Sequence, residues 1–507
     1  MAAVSPSMTE DKGSGMALQQ TDVIAGLHAL NAWTKVYGPW LVAGALGLLA
    51  LTALSRLVSG RGSREREARW ASKKDLRQAY LLSHRGIVLG RIGGLVLRYG
   101  GRGHAFIVAA TQTGKSSAIV KPTLLEPQPQ TSLLIHDPKG ELYATTARYR
   151  ATISRVIRLA PCDETSDCYN PLDAIRVGTA YEVADVQLFA KVLANPEGTV
   201  LRTESEQHFV GVTEIVVAGV TLHGMQTAPP LVTCLGDLYT LVTQGEFAEV
   251  IKDMALSHHP IIRTAGTMLN EMDEKQYANV YTTLVRVLQL YADPTVAGMT
   301  SRSDFTLEEV RKGPQPLSLY LSIPFEHLAR MRPLTCLIFQ QLLSRAVAVP
   351  PSWQQEGYFR LLGMGEEFPS LKHLQIVADV FNQGAGLGVQ LCLVTPSLND
   401  IEQIWGTHHN FLDNAHVQVF FGITDEAVAR RVSARLGTHQ VKRDRVSWHR
   451  GGRTVTRDWV QEPLLDSSAI THMDPNDVLV LARNHQVIVQ QTPWEQYQPW
   501  KGRGVAV

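Results

Sequence analysis

Apolar residues recur along the chain with different periods, and each period predicts a different kind of element. Residues 37–58 form a nearly uninterrupted apolar run, long enough to span the ~30 Å hydrocarbon core of a bilayer. From about 184 to 303, apolar residues recur at every third or fourth position, which predicts amphipathic helices. Short apolar runs of strand length stand at 105–110 and from 316 onward. Because strands that alternate with helices favour a mostly parallel sheet, the pattern predicts an α/β domain interrupted by an all-α insert.

The run at 37–58 is predicted to be a transmembrane helix. Tyr37 and Trp40 lie at its leading edge, where aromatic residues favour the membrane interface. Residues 55–77 carry eight Lys/Arg against three acids, whereas residues 1–36 carry two Lys against three acids. This asymmetry predicts an extracytoplasmic N-terminus and a cytoplasmic body. A signal peptide fits poorly because no basic leading region precedes the run, and a buried core helix is the remaining alternative.

Composition excludes several broad classes of protein. A chain of 507 residues exceeds the ~250–300 at which a single core stops growing, so more than one domain is expected. With 48 Lys+Arg against 47 Asp+Glu, the net charge is +1, which excludes a uniformly basic nucleic-acid binder but not a local basic stripe. The five cysteines form no CxxC pair, and their odd number does not suit a disulfide framework, so reduced thiols in a cytosolic body are predicted.

A phosphate-binding loop follows the strand-like run at 105–110. The loop reads A-x-x-x-x-G-K-S, with Ala109 in the first position where Gly is commoner. Gly114 allows the backbone N–H groups to face a phosphate, Lys115 brings positive charge to the β- and γ-phosphates, and the Ser116 hydroxyl is a ligand for Mg²⁺. A helix is predicted to follow, so ATP and Mg²⁺ are the expected ligands. The predicted nucleotide-binding residues are Ala110, Thr111, Gln112, Thr113, Gly114, Lys115, Ser116 and Ser117.

A P-loop enzyme also needs a carboxylate at the end of a neighbouring strand, which holds the metal and polarises the attacking water. Asp137, at the end of the run SLLIHD, is one candidate. The pair Glu366–Glu367, after the run YFRLLGMG, is favoured because one carboxylate can serve the metal while the other acts as base. A solvated turn is the alternative interpretation of this acidic pair.

Ten sequence motifs follow one another in a fixed order. They are ARWASKKDL (68–76), GIVLGR (86–91), ATQTGKSS (110–117), PTLL (122–125), DPKGELY (137–143), YNPLDAI (169–175), DFTLEEVR (304–311), EEFPSL (366–371), LDNAHVQVFF (412–421) and the run D-E-x-x-A…S-x-x-L-G from Asp425 to Gly437. This ordered set resembles the type IV coupling proteins, in the TraG-type branch of the conjugative DNA-transfer ATPases. The resemblance covers roughly residues 65–495.

This resemblance implies a fold, a set of partners and roles for particular residues. The implied fold is an α/β, RecA-like P-loop NTPase core with an all-α insert domain and an N-terminal transmembrane helix. The implied assembly is a homo-hexamer in the bacterial inner membrane, single-pass, with its main body in the cytoplasm. Relaxase and relaxosome proteins, single-stranded DNA, and the type IV secretion channel with its other ATPases are the implied partners. By position, Lys115 and Ser116 would bind phosphate and Mg²⁺, Glu366 stands where the family usually has Asp, and Glu367 matches the usual Glu.

The chain departs from the family pattern at three places. Glu366 is one methylene longer than the usual Asp. After the strand-like run VQLCLVT (389–395), the family's third motif has Gln-Ser, whereas this chain has Pro396-Ser397. Pro offers neither an N–H group nor a polar side chain to a γ-phosphate. Some relatives place an Arg near the position of Ala385, where it acts across subunits, and this chain has no Arg in that stretch. Arg431 and Arg435 are candidate substitutes, and a solvated helix face is the alternative interpretation of these two residues. ATP binding is therefore better supported than rapid hydrolysis. An ATP-binding docking platform for relaxase or protein effectors, with little hydrolysis, is the alternative to a DNA-transfer motor.

The predicted domains follow from these patterns. They are a short N-terminal segment (1–36), a transmembrane helix (37–58), a basic juxtamembrane linker (59–84), a nucleotide-binding domain in two pieces (85–183 and 304–507) and the all-α insert (184–303).

Charge is distributed unevenly over the cytoplasmic body. The insert holds seven Lys/Arg against thirteen Asp/Glu, which predicts that it docks basic proteins rather than DNA. Residues 442–457 hold six Lys/Arg against one Asp, and basic groups next to an aromatic ring are typical of single-strand binding. A solvated hairpin arm, or one that touches anionic lipid headgroups, is the alternative. The candidate DNA contacts are Arg445, Arg450, Arg453 and Trp448.

Overall fold

The computed structural model of the chain describes residues 67–198, 203–244, 246–449 and 452–505, together with Lys35. The predicted segment at 1–36, apart from Lys35, and the predicted transmembrane helix at 37–58 lie outside these described residues. Residues 68–505 belong to one compact unit, and this unit contains the phosphate-binding loop.

In the part of the chain that the structure describes, eleven strands form one mixed sheet and two more form a separate hairpin. The strands are β1 (Ile87–Ile92), β2 (Leu95–Tyr99), β3 (Ala105–Ala109), β4 (Thr131–Asp137), β5 (Arg155–Leu159), β6 (Leu317–Ser322), β7 (Arg360–Gly365), β8 (Val389–Thr395), β9 (Val417–Phe421), β10 (Thr438–His449), β11 (Gly452–Pro463), β12 (Asp477–Ala482) and β13 (His485–Gln490). The order across the large sheet is β2-β1-β13-β12-β9-β3-β8-β7-β4-β6-β5. The seven strands from β9 to β5 are parallel, and β12, β13, β1 and β2 extend the sheet in antiparallel fashion.

The parallel sheet is buried on both faces, as its nearly continuous apolar strands require. Phe106 and Val108 of β3 pack into a core that also contains the insert helices. Ala105 and Ile107 point to the opposite face and pack with the helices that follow β3 and β4. This alternation is the two-residue period of a strand, and it explains why the central strand carries no polar residue.

Helices cover both faces of the sheet and form the insert. Helices Glu182–Ala194 to Pro294–Met299 occupy the interval between β5 and β6, so the predicted α/β fold with an all-α insert is confirmed. The helices are Lys73–Gln78, Lys121–Leu124, Glu141–Arg150, Glu182–Ala194, Glu204–Gln226, Leu235–Thr243, Phe247–Ala255, Pro260–Glu271, Glu274–Leu288, Pro294–Met299, Leu328–Val347, Gln375–Gln383, Leu398–Trp405, Phe411–Asn414, Glu426–Leu436 and Ser467–Thr471.

Helix Glu204–Gln226 is the central helix of the insert. Among the described residues it alone is long and apolar enough to cross a membrane, and half of its most apolar window is buried inside the protein. Val216 and Val220 are fully buried in the common core. Its apolar character is therefore accounted for by packing within the insert.

Two motif segments lie where the chain leaves the sheet domain for the insert and where it returns. The buried Tyr169 hydroxyl donates to Gln341 Oε1 at 2.8 Å, and the Asn170 amide donates to the Thr233 carbonyl of the insert at 2.8 Å. The Arg311 guanidinium is buried and donates to the carbonyls of Phe359, Ala346 and Leu387. The Asn170 contact ties the motif YNPLDAI to the insert, whereas the Tyr169 and Arg311 contacts anchor YNPLDAI and DFTLEEVR within the sheet domain.

Strands β10 and β11 form a hairpin, and within the part of the chain that the structure describes they pair only with each other. The register runs from Thr438 opposite Pro463 to His449 opposite Gly452. Most of its described side chains between 442 and 460 are exposed, including Trp459. We call residues 438–463 the arm.

Candidate functional site

The phosphate-binding loop lies at the carboxyl edge of the parallel sheet. The loop follows β3, which pairs with β8 and β9, and β7 lies on the far side of β8. The carboxyl ends of these parallel strands therefore meet at one edge, where the ligands of open α/β sheets bind. The loops after β3 and β7 come together here although some 250 residues separate them in sequence.

The loop has the backbone shape that binding a phosphate needs. Gln112 and Gly114 both have positive φ, at 64° and 88°. The Thr113 hydroxyl donates to the Ala110 carbonyl at 2.7 Å, and the Ala118 N–H donates to the Gly114 carbonyl at 2.8 Å. A wide π-type turn, Ser116–Val120, then leads into helix Lys121–Leu124, so the predicted helix is present. The N–H groups at the start of this helical segment have no helical acceptor and are available to an anion.

Lys115 and Glu367 form an ion pair at the centre of the site. Lys115 Nζ lies 3.0 Å from Glu367 Oε1, and Lys115 is only 5% exposed. Glu367 has a left-handed backbone, with φ 53° and ψ 50°, which turns its side chain back toward the loop. A buried lysine needs such a partner, because an isolated charge away from water is costly.

Ser116 and Glu366 form the second contact between the two loops. The Ser116 hydroxyl donates to Glu366 Oε1, and Glu366 is 2% exposed. Burial, reinforced by the negative charges of Asp137 and Glu367, raises the pKa of Glu366 to about 7, although the Ser116 hydrogen bond and Lys139 oppose the shift. A hydroxyl and a carboxylate that face each other are oxygen ligands of the kind that Mg²⁺ prefers. Ser116 and Glu366 therefore suit the metal of a nucleotide complex.

His136 makes a hydrogen bond to the backbone of Glu366, a contact that no sequence motif predicts. Its Nδ1 lies 2.7 Å from the Glu366 carbonyl oxygen, so Nδ1 is assigned as the donor of this hydrogen bond. The ring is fully buried and packs edge-on against Phe339. Burial lowers the pKa of His136 to about 4, so the ring is neutral at pH 7.

Asp137, the other candidate acid, lies at the end of β4 and is buried. Its two carboxylate oxygens accept the N–H groups of Leu142 and Tyr143, at 3.2 and 2.9 Å. Burial raises the pKa of this carboxyl group. The contacts support a role in capping helix Glu141–Arg150, because they satisfy two N–H groups that lack helical acceptors.

The segment after β8 lies between the loop that follows β3 and the loop that follows β7. The Thr395 hydroxyl donates to the Ser397 carbonyl at 2.7 Å, and the Ser397 side chain caps helix Leu398–Trp405. Arg431 pairs with Glu402 at 2.6 Å and Arg435 with Asp413 at 2.8 Å. Both arginines are thus engaged with carboxylates of their own chain.

A segment near the C-terminus lies across the phosphate-binding loop, and no sequence motif predicts it. The Gln491 amide donates to the Thr113 carbonyl at 2.9 Å and to the Pro475 carbonyl at 2.7 Å. The backbone N–H of Trp494 donates to the Ser117 carbonyl at 3.1 Å. The Ser117 hydroxyl donates to Glu495 Oε2 at 2.6 Å. We call residues 491–495 the strap. Only the fold brings this segment, QTPWE, to the site.

The candidate DNA contacts lie on the arm, away from the phosphate-binding loop in sequence. Arg445 pairs across the arm with Thr456, whereas Trp448 pairs with Arg453, so the alternation of a strand puts Arg445 on the face opposite to Arg453. Arg445 and Arg453 are exposed, and Arg450 lies outside the described residues. Lys442 lies over the exposed ring of Trp459, with Nζ 4.7 Å from the ring centre.

Known proteins share both the sequence pattern and the fold. The family model described as type IV secretory system conjugative DNA transfer matches residues 69–494. The conjugal transfer protein TraG of Escherichia coli is 30% identical, over 87% of this chain and 77% of its own length. Protein VirD4 of Agrobacterium fabrum is 26% identical, over 82% of this chain and 64% of its own length.

Solved structures of a bacterial conjugative coupling protein, TrwB, have the same fold. The unbound form has a TM-score of 0.64 and 17% identity, covering 84% of this chain and 92% of that chain. The complex of TrwB with ADP and Mg²⁺ has a TM-score of 0.62 and 17% identity, covering 84% of this chain and 94% of that chain. At this identity the likeness concerns the fold, and the RecA-like P-loop architecture expected from the sequence is confirmed.

Proposed function

Because the chain belongs to the type IV secretory system conjugative DNA transfer family, matched over residues 69–494, we propose that it is an ATP-driven coupling protein. In this role it links a relaxase–DNA complex to a type IV secretion channel and drives DNA transfer. The single observation that carries the proposal is the meeting of Lys115 and Ser116 with Glu367 and Glu366 at the sheet edge. Phosphate-binding and water-activating groups thus stand together where a P-loop enzyme needs them.

The two contacts suggest how the site works. Lys115 binds the β- and γ-phosphates and gives up its ion pair with Glu367 as it does so. Glu367, released from Lys115, orients the attacking water and accepts its proton. Mg²⁺, when bound, would be held by Ser116 and Glu366 and would neutralise charge on the phosphates. His136 keeps Glu366 in place through its carbonyl group. The lysine that recognises substrate thus also controls when the base is free.

The assembly that we propose follows the family. A transmembrane helix at 37–58 anchors the chain in the inner membrane, with residues 1–36 outside and residues 59–84 as a basic linker. The body forms a homo-hexamer with ATP bound between subunits, and single-stranded DNA passes through its centre. The nucleotide-binding domain at 85–183 and 304–507 supplies the motor, and the insert at 184–303 supplies a docking domain.

The insert offers an acidic, aromatic groove that suits the basic segments of a relaxase or accessory protein. Tyr277 and Tyr281 stack with ring centres 6.0 Å apart, and Phe247 lies 6.3 Å from Tyr281. The exposed Glu246 and Glu249 stand at the rim of this groove, which has a volume of about 570 Å³. Stacked tyrosines next to carboxylates favour a Lys or Arg side chain over a phosphate.

The arm is proposed to contact single-stranded DNA through Arg445, Arg450 and Arg453, with Trp448 as a stacking residue. Replacing these three arginines with Gln should weaken single-strand binding and flatten its salt dependence, because fewer phosphate contacts then release counterions. The matched control replaces three exposed arginines outside the arm: Arg77, Arg85 and Arg148. Equal affinity for the arm variant and the wild type would reject the arm as a DNA contact.

The experiment that tests the proposed function is complementation of conjugative transfer. The Lys115→Thr variant should abolish transfer while the protein still inserts into the membrane, because the site loses its phosphate-binding charge. Lys74→Thr, which removes an exposed lysine on helix Lys73–Gln78, is the control and should transfer normally. Transfer by the Lys115→Thr variant at the wild-type frequency would contradict the motor.

An ATP-binding docking platform is the second function that specific observations favour. Pro396 removes the polar side chain and the amide from the segment beside the phosphates, and the insert is acidic. Such a platform would bind nucleotide and recruit relaxase or protein effectors while other ATPases supply the work. Tight nucleotide binding without DNA-stimulated turnover would distinguish it from the motor.

A further inference from the structure

The strap contacts the loop and the helical segment that we propose to bind the phosphates. Besides Gln491 and Trp494, the Thr492 hydroxyl donates to the Ala118 carbonyl at 3.2 Å. A Cβ added to Gly114 would lie 2.7 Å from Gln491 Oε1, so the strap packs directly on the glycine of the loop. Its backbone and its buried side chains are therefore fixed to the nucleotide site.

The chain beyond the strap is also anchored. Trp500 is fully buried, and its indole N–H donates to Glu126 Oε1 at 3.0 Å. The Arg503 guanidinium donates to the Leu125 carbonyl at 2.9 Å, and the Val505 N–H donates to the Thr145 carbonyl at 3.0 Å. Glu495, by contrast, is exposed and holds only the Ser117 hydroxyl among its described contacts. Its side chain can therefore leave Ser117 while the rest of the strap stays in place.

The position of Ser117 gives this contact a consequence for nucleotide binding. In a P-loop, the lysine reaches the β- and γ-phosphates and the next residue holds the metal, while backbone N–H groups cradle the α- and β-phosphates. Ser117 follows both of those residues and lies in the first turn of the helical segment, whose N–H groups lack helical acceptors and would face a bound phosphate. The Glu495 carboxylate stands 2.6 Å from its hydroxyl. A hydroxyl has one proton to donate, so Ser117 cannot donate to Glu495 and to a phosphate oxygen at the same time, and the two anions also repel each other.

We propose that Glu495 competes with the nucleotide for Ser117, so that the strap restrains nucleotide binding until the carboxylate is displaced. This inference rests on the proposed function, because it presumes that the loop binds a nucleoside triphosphate. It makes the C-terminal segment an autoinhibitory contact. Displacement of Glu495 also couples the occupancy of the site to the strap, which continues from β13 at the antiparallel end of the sheet.

The test is the dissociation constant of the full-length protein for Mg-ATP, measured with a fluorescent ATP analogue. Glu495→Gln keeps the size of the side chain and removes its charge, and it should tighten binding roughly fivefold, the gain expected from relieving one exposed charge contact. Glu164→Gln makes the same charge change on an exposed residue after β5, at the far edge of the sheet, and should leave binding unchanged. Unchanged or weaker binding by Glu495→Gln would overturn the proposal, and weaker binding would make Glu495 a nucleotide ligand.

A second variant covers the case in which Glu495→Gln does not fold. Glu495→Ala also removes the exposed carboxylate and should tighten the binding of Mg-ATP by a similar factor, because the hydroxyl of Ser117 is again left to the nucleotide. Unchanged or weaker binding by a folded Glu495→Ala protein would overturn the proposal. The affinity of the Lys115→Thr variant for Mg-ATP separates failure of the proposed site from failure of the strap. If Lys115→Thr binds Mg-ATP as tightly as the wild type, the proposed nucleotide site is wrong. If Lys115→Thr loses binding but Glu495→Gln binds with wild-type affinity, only the role of the strap is rejected.

Discussion

Replacing Glu366 with Gln should stabilise the protein while it disables the site. Burial raises the pKa of Glu366 from 4.5 to about 7, so at pH 8 the folded protein must ionise a carboxyl group that prefers to be neutral. This difference corresponds to about 3 kcal/mol, at 1.36 kcal/mol per pKa unit. Gln resembles the neutral acid in shape and charge, so the variant should avoid this cost.

The sign of the pH dependence follows from the direction of the shift. Because the pKa of Glu366 is raised on folding, the folded protein binds more protons than the unfolded chain between pH 4.5 and about 7. Its stability therefore falls as the pH rises through that window, and the advantage of Glu366→Gln should grow from nothing below pH 4.5 to its full value at pH 8. The lowered pKa of His136 acts in the opposite direction, but it is common to both proteins and cancels in the difference.

The assay is thermal unfolding of the full-length protein in detergent, followed by tryptophan fluorescence without Mg²⁺ or nucleotide. For a body of this size, 3 kcal/mol corresponds to a rise of about 3 °C in the unfolding midpoint at pH 8. Glu367→Gln is the matched control and should lower the midpoint at pH 8, because it leaves the buried Lys115 without its carboxylate partner. Two results would show that burial of this carboxylate is not what limits stability. One is a Glu366→Gln midpoint below that of the wild type at pH 8. The other is a difference in midpoint between the two proteins that is the same at pH 4.5 and at pH 8.

Three further predictions concern residues around the site and at the joints of the fold. Arg311→Leu should lower the free energy of unfolding by about 3 kcal/mol, measured as a fall in the thermal midpoint, because three buried carbonyls lose their donor. His136→Leu should cost about 2 kcal/mol and slow ATP turnover, whereas His136→Asn, which can place an N–H near the Glu366 carbonyl, should retain most of both. Asp137→Ala should cost about 1 kcal/mol in thermal unfolding and spare most ATP turnover. A folded Asp137→Ala protein that has lost turnover would show that this acid is catalytic.

The fold was predictable from the sequence where burial leaves a simple pattern. Strands β3, β4, β6 and β8 read as short apolar runs because a parallel sheet is covered on both faces. The antiparallel extension was not predicted. Its strands β1 and β13 pair across some 400 residues, with Arg91 opposite Gln490, and no local pattern encodes such a pairing. Strands β12 and β13 form a hairpin that the alternation in HQVIVQ could have revealed. Arg483, in the turn of this hairpin, has a positive φ of 55°.

The site was predictable where chemistry demands particular residue types. Lys115, Ser116 and the pair Glu366–Glu367 were found from motif and context, and the structure brings them into contact. His136 and the strap were not found, because their partners are backbone carbonyls and one hydroxyl, which any sequence supplies. Contacts of this kind are created by the fold and leave no spacing rule behind.

The most direct test of the proposed motor is ATP turnover by the full-length protein in the presence of single-stranded DNA, compared between the wild type and Glu367→Gln. We expect substantial DNA-stimulated turnover by the wild type and its loss in Glu367→Gln with nucleotide binding retained, because Lys115 and Ser116 are intact. Tight nucleotide binding by the wild type without turnover, or turnover by Glu367→Gln at the wild-type rate, would contradict the motor.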